Sequence, residues 1–296
     1  MTQPPASLFA DQTAKLSTGA IFLVIAAVFC FSVMDVAVKS VSPKIGTIPV
    51  LWARYAGQML LVIILVAPRL QQVVKSRYIG LQVIRSILLM SATFFFFSGL
   101  ARISLADASA VMNINPILIT LGATVFLGEK LGRRRLIAIA IAVLGAMIII
   151  RPGTSAFVPA ALFPLAAAAC FASYALMTRH VGPDEDVWTS LFYTGLVGAV
   201  IMSIAVPFAW ETPDMAAIVQ MIIIAGFGTL GQLLLIRAFS QAEAGLLAPF
   251  GYLGLVFSVF WGFVIFNDIP GFWTIAGALV IAGAGLYVWH RERQQQ

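Results

Sequence analysis

Apolar residues run along this chain in long stretches, separated by short gaps that hold most of the basic residues. At about 20 residues per bilayer crossing, the stretches predict helices over 19–40, 48–68, 79–100, 106–127, 134–150, 157–179, 187–207, 216–239, 244–266 and 271–289. Residues 1–17 include polar and Pro-rich stretches. The run that starts at Gly19 is too long for a signal-peptide core. It also lacks a small-residue cleavage pattern followed by a soluble domain, so it reads as a first spanning helix that is retained.

The punctuation between the stretches occurs twice. Cys30-Phe31 and Lys39 return as Cys170-Phe171 and Arg179, and Tyr55-Ala56-Gly57 returns as Tyr193-Thr194-Gly195. Val66-Ala67-Pro68 matches Ala205-Val206-Pro207, and Gly128-Glu129 matches Asn267-Asp268, all at separations of 138 to 140 residues. Each half carries five spanning stretches, and an odd number forces the second half to enter the membrane the other way up. The expected fold is therefore all-α and integral to the membrane, with ten transmembrane helices in two inverted five-helix repeats, the architecture of secondary transporters. The expected boundaries are a cytoplasmic tail over 1–18, a first repeat over 19–151, a second over 152–290 and a cytoplasmic tail over 291–296.

Composition excludes a water-soluble fold: 61% of residues are hydrophobic and 10% charged, against roughly 45–50% and 25% in soluble domains. The formal charge of +6 does not point to nucleic acid, which needs clustered Lys and Arg with polar support. It reflects topology instead. With the N-terminus inside, twelve basic residues fall in inside segments, among them Arg69, Lys75, Arg133, Arg134 and Arg135, against Lys39, Lys44, Arg102 and Arg151 outside. That bias predicts both termini on the cytoplasmic side of an inner membrane. Cys30 and Cys170 sit inside apolar runs and read as small packing residues, with no disulfide framework implied.

The run from Ala108 to Glu129, with Asn113, Pro116 and a closing Leu127-Gly128-Glu129-Lys130-Leu131, resembles the drug/metabolite transporter superfamily in its ten-helix EamA form. Ala248-Pro249-Phe250-Gly251-Tyr252 through Phe266-Asn267-Asp268-Ile269-Pro270 is similar to the corresponding region of the second repeat. Asp35-Val36 with Lys39, Arg54, Leu191-Phe192-Tyr193 and Arg237-Ala238-Phe239 look most like the branch of S-adenosylmethionine transporters and related metabolite carriers. Two departures, Asp268 for Glu and Asn267 for Gly, fall at a loop end.

Charges inside predicted spans cost at least about 2.5 to 3.5 kcal/mol at the bilayer centre, so Asp35, Arg54 and Arg85 stand out. Helix rise puts Asp35 and Arg54 roughly 8 to 9 Å deep on the same side. They form either a polar gate and substrate-contacting pair at the outer mouth of a cavity, or a structural ion pair. Arg85 lies roughly 9 Å from the inner start of its helix, a depth from which it snorkels to the headgroups or binds an anionic group. Lys39 is expected to anchor at the outer interface. Glu129 and Asp268 are expected to accept bonds from free N–H groups of the following helices rather than couple protons.

Asn113 and Asn115 adjoin Pro116, which breaks the helix ladder near mid-membrane, and Pro249 and Tyr252 occupy the analogous stretch of the ninth helix. Tyr174, Tyr193 and Gln232 add hydroxyl and amide groups in other spans. Of Phe94 to Phe97, at most one or two rings can face a cavity. The glycines of the eighth and tenth helices permit close helix approach.

No His-Glu-x-x-His, Gly-x-Ser-x-Gly or Gly-x-x-x-x-Gly-Lys pattern occurs, and His180 and His290 sit at helix ends; no catalysis, cofactor or metal is implied. Scattered single polar groups also differ from the repeated filter of a channel. The expected protein is a monomeric secondary carrier in a lipid bilayer, moving a small amphipathic metabolite with a charged amine, amino-acid-like or S-adenosylmethionine-like. Its further partner is a coupling proton or an exchanged metabolite. Riboflavin-like or other aromatic metabolites, and a non-transporting scaffold, are the alternatives.

Overall fold

The computed structural model of the protein describes residues 18–127, 133–151, 158–182, 184–242 and 247–293. Glu129, most of the two expected tails and the side chain of Pro249 lie outside that description. The helices are α1 (Thr18–Ile45), α2 (Thr47–Val66), α3 (Ile79–Leu100), α4 (Leu105–Met112), α5 (Asn115–Leu127), α6 (Arg133–Ile150), α7 (Leu162–Val181), α8 (Val187–Ala205), α9 (Met215–Gln241), α10 (Leu253–Phe266) and α11 (Phe272–Arg293). A 3-10 turn, Ala248–Tyr252, leads into α10. Among the described residues six helices are long and apolar enough to cross a membrane by themselves, and four shorter apolar segments accompany them. Counting α4 with α5, and the 3-10 turn with α10, as one crossing each gives ten. The chain is an all-α, multi-pass membrane protein.

Helix pairing follows the repeat. α1 packs on α9 and α7 on α3, while α2 pairs with α8 and α6 with α11. Exchanging each crossing for the one five places on maps these pairs onto themselves, the mark of a pseudo-two-fold relation between inverted halves. Repeat-equivalent residues also do equivalent work. Lys39 Nζ donates to the carbonyl of Ile103 at 2.9 Å, and Arg179 Nη1 donates to that of Phe239 at 3.2 Å. Pro68 and Pro207 each sit in a 3-10 turn, Ala67–Arg69 and Val206–Phe208, that closes α2 and α8.

Lipid is as apolar as the helix faces, so close packing rather than water exclusion holds such a bundle together. Small residues allow it: a methyl group on Gly277 would lie 2.6 Å from the carbonyl oxygen of Gly145, which is how closely α11 meets α6. Gly226 and Gly283, in contrast, face open space.

Two departures from the expected boundaries have local causes. α1 runs on to Ile45 with Pro43 in its last turns, because the missing proline N–H deletes only one ladder bond there. Gly46, at φ 80°, then makes the sharp turn into α2. Asn267 stands at φ 53° and caps α10 in the left-handed conformation, which asparagine tolerates, so its replacement of Gly leaves the turn intact.

Candidate functional site

A cavity of about 210 Å³ lies at the centre of the bundle, walled by residues of α1, α2, α3, α4, α5, α7, α9 and α10. A single water needs only about 10–15 Å³, so the cavity accommodates a small organic molecule. On α1 its lining runs from Val24 to Asp35. Beyond Asp35, toward the face away from the termini, Val38, Val41, Leu51, Leu100 and Leu105 pack into a closed core. Toward the termini the lining reaches Val24, Phe239 and Leu247.

Interrupted helices build the middle of this cavity. Ser104 caps α4 by accepting the N–H of Asp107 at 3.0 Å. α4 stops at Met112, and α5 restarts at Asn115 with Pro116 second. Proline has no N–H to continue the ladder, so Asn113 is left at the break. Irregular backbone is tolerated at membrane depth where it lines a cavity, and Asn113, Asn115 and Pro116 all line this one. The 3-10 turn Ala248–Tyr252 is the counterpart in the ninth crossing and brings Gly251 to the wall. Between the two crossings the hydroxyls of Ser109 and Ser258 hydrogen bond at 2.6 Å.

Asp35 is 7% exposed and Arg54 4%, and both face the cavity. No hydrogen bond or ion pair joins them: Asp35 Oδ1 and Arg54 Nε have no partner. Their charges still interact across the gap. The Arg54 guanidinium lies over three rings, those of Phe31 at 5.9 Å, Tyr55 at 5.5 Å and Phe97 at 5.6 Å. Tyr55 is fixed in turn, its hydroxyl donating to Thr93 Oγ1 at 3.0 Å. Asn113 Nδ2, Asn115 Oδ1 and Gln232 Oε1 are also buried without partners. The site thus offers one carboxylate, one oriented guanidinium and three amide groups inside a mostly apolar wall.

Other expected site residues stand outside that wall. Arg85 does not snorkel. It is 0% exposed, donating to the Ser190 carbonyl at 2.6 Å and to Thr178 Oγ1 at 3.3 Å, with Tyr174's ring 5.6 Å away. Its depth along α3 allowed snorkelling, but the face it occupies packs against α7 and α8. Tyr174 is fully buried behind the cavity, where its hydroxyl accepts from Gln232 Nε2. Tyr193 donates to the Val74 carbonyl at 2.9 Å, tying α8 to the segment after α2. The Tyr252 hydroxyl is buried without a partner, next to the lining but not in it. Lys39, half-buried, holds Ile103 and lies 5.5 Å from the Phe266 ring. Asp268 does not cap α11; its own N–H closes α10 on the Gly262 carbonyl at 2.9 Å.

Thr93, Ser109 and Ser258 line the cavity and were not singled out from sequence. Thr93 had a signal: it stands 139 residues before Gln232, within the repeat spacing. Of the phenylalanine block, Phe96 and Phe97 face the cavity.

The sequence profile of the EamA-like transporter family matches the chain twice, over residues 18–151 and 158–289. The chain belongs to the EamA-like transporter family. This transporter, a membrane protein of the drug/metabolite transporter superfamily, is 29% identical over 275 residues to the pseudopaline exporter CntI of Pseudomonas aeruginosa, covering 91% of this chain and 95% of that protein. It is 26% identical over 263 residues to the S-adenosylmethionine uptake transporter of Rickettsia bellii, covering 89% and 90%. A solved structure titled "Crystal structure of protein" shares the fold at a TM-score of 0.68 and 18% identity, covering 94% of this chain and 98% of that one.

Proposed function

We propose that this transporter is a secondary carrier that moves a small amphipathic metabolite, amino-acid-like or S-adenosylmethionine-like, by alternating access through the central cavity. The observation that carries the reading is Asp35, a carboxylate buried against the cavity with one oxygen lacking any partner. Burying such a group costs several kcal/mol unless something compensates it, and a cationic amine of the substrate does so. Asn113, Asn115 and Gln232 orient the rest of the molecule, and the apolar wall holds its body. Two relatives support a metabolite of this kind, one named for uptake of S-adenosylmethionine and one for export of pseudopaline. The carrier works as a monomer in an inner membrane with both termini cytoplasmic, coupled to a proton or an exchanged metabolite.

Counterflow in proteoliposomes tests this. Saturable exchange is expected; flux that never saturates means a channel, and absent flux for every metabolite means a scaffold. Asp35→Asn, in protein inserted at normal yield, is expected to weaken a cationic substrate by about 1 to 3 kcal/mol while sparing a neutral analogue of the same shape. Equal affinity of mutant and parent removes Asp35 from the site. A reporter fused after Gln296 should signal cytoplasm.

A further inference from the structure

We infer that Arg54 binds the substrate carboxylate while Asp35 binds its amine, so that the cargo is a zwitterion with an α-amino-acid headgroup. The inference rests on the cavity being the substrate site. It starts from opposite charges that line one cavity and yet are unpaired. Asp35 and Arg54 are each more than nine-tenths buried, face one cavity, and leave Oδ1 and Nε without partners. A structural ion pair in a dry bundle closes its own hydrogen bonds, because the desolvation cost is recovered only at contact. Here the contact is not made.

Charge balance then selects the ligand. Carboxylate and guanidinium together make the site neutral. A simple cation satisfies Asp35 and leaves Arg54 uncompensated, and a simple anion does the reverse. A headgroup that is itself neutral, carrying both signs close together, satisfies both at once whatever the rest of the molecule bears.

The surroundings of Arg54 fit a carboxylate. Its guanidinium is held over the Phe31, Tyr55 and Phe97 rings, and Tyr55 is locked through Thr93, whose hydroxyl donates to the Leu89 carbonyl at 2.8 Å. The three rings around it position a planar fork whose N–H groups no protein acceptor occupies, leaving them for the two oxygens of a carboxylate, a geometry that lysine cannot reproduce. Val28, Phe96, Phe171 and Leu255 supply an apolar wall for the side chain. The cargo is therefore an α-amino acid, or a metabolite ending in one, with a large apolar or thioether body.

The test uses the purified full-length chain and reads binding by thermal shift and counterflow inhibition. L-methionine and L-phenylalanine are each compared with their methyl esters and N-acetyl derivatives, and S-adenosylmethionine with its decarboxylated form; riboflavin serves as a ligand lacking the headgroup. At least one intact zwitterion should bind, and each analogue missing one charge should bind roughly tenfold to hundredfold more weakly. Arg54→Gln should erase the penalty for the ester and keep the penalty for N-acetylation. Arg54→Lys, which retains the charge and loses the fork, should fall between. If ester or decarboxylated ligands bind as well as their parents, Arg54 does not read a carboxylate, although the assignment of Asp35 to the amine survives. Binding of riboflavin alone overturns both assignments, and the absence of binding by every zwitterion in the panel overturns the inference.

Discussion

Among the described residues two guanidinium groups are buried inside this bundle, and their surroundings differ. Arg85 donates to the Ser190 carbonyl and Thr178 hydroxyl, outside the cavity. Arg54 has three aromatic rings beneath it, no polar contact, and the cavity in front. Both cost free energy to bury. Arg85 recovers much of that cost within the fold through the two Nη bonds that join α3 to α7 and α8, its Nε alone lacking a partner. Arg54 recovers part of it from the rings, since a desolvated cation–π contact is worth about 2 kcal/mol, and its N–H edge awaits a partner. The difference separates a charge whose hydrogen bonds close within the fold from one that faces the cavity without a polar partner.

Neutralising each arginine and measuring stability in detergent should give the largest difference between the two. Arg85→Gln deprives two acceptors of a charged donor, each bond being worth about 1.5–3 kcal/mol, so a loss of about 3 kcal/mol is expected, seen as a lower unfolding temperature and poorer yield. Arg54→Gln gives up the ring contacts but also removes a desolvated charge; these effects offset, and stability should stay within about 1 kcal/mol while transport falls. Equal stability losses would abolish the distinction.

A smaller effect is expected at Tyr174, which links the two environments. Its ring lies against Arg85 and its hydroxyl accepts from Gln232, a cavity-lining side chain whose Oε1 is already unpartnered. Tyr174→Phe leaves both ends of that amide without a bond, at a cost of about 1 to 2 kcal/mol. The freed amide should also raise the KM for transport more than it lowers kcat, because a cavity-lining group loses its orientation. A stability loss with unchanged KM would assign Gln232 to the Arg85 side of the comparison.

Sequence made the ten crossings legible because length and apolarity suffice for that, and Pro116 marked the break in the fourth crossing because its missing N–H has one consequence in any helix. The two arginines show where legibility ended. Helix rise gives depth but not azimuth, so for Arg85 the sequence offers the headgroups or an anionic group as its partner. Its burial depends on which helices cover that face of α3, a property of the assembled halves. Asp35 and Arg54 line the same cavity, but whether they touch depends on side-chain directions that spacing does not contain. Tyr193 looked like cavity chemistry and instead fastens α8 to Val74, since a hydroxyl near a helix start has carbonyls of the neighbouring connection within reach.

The smallest expected effect concerns the hydroxyl pair Ser109 and Ser258, neutral groups on the cavity wall that could belong to either side of the comparison. Their bond at 2.6 Å spans α4 and α10, the interrupted crossings of the two halves. Interhelical hydrogen bonds in membranes average only about 0.6 kcal/mol, because the unfolded chain in lipid also finds partners. A double-mutant cycle with Ser109→Ala, Ser258→Ala and both together should therefore give a stability coupling of about 0.6 kcal/mol. If the pair only holds helices, as Arg85 does, transport should track stability in all three variants. If it tunes how the two crossings separate around cargo, transport rates should couple between the mutants by more than stability does. Additive stabilities together with additive rates would show that the two serines merely lie side by side.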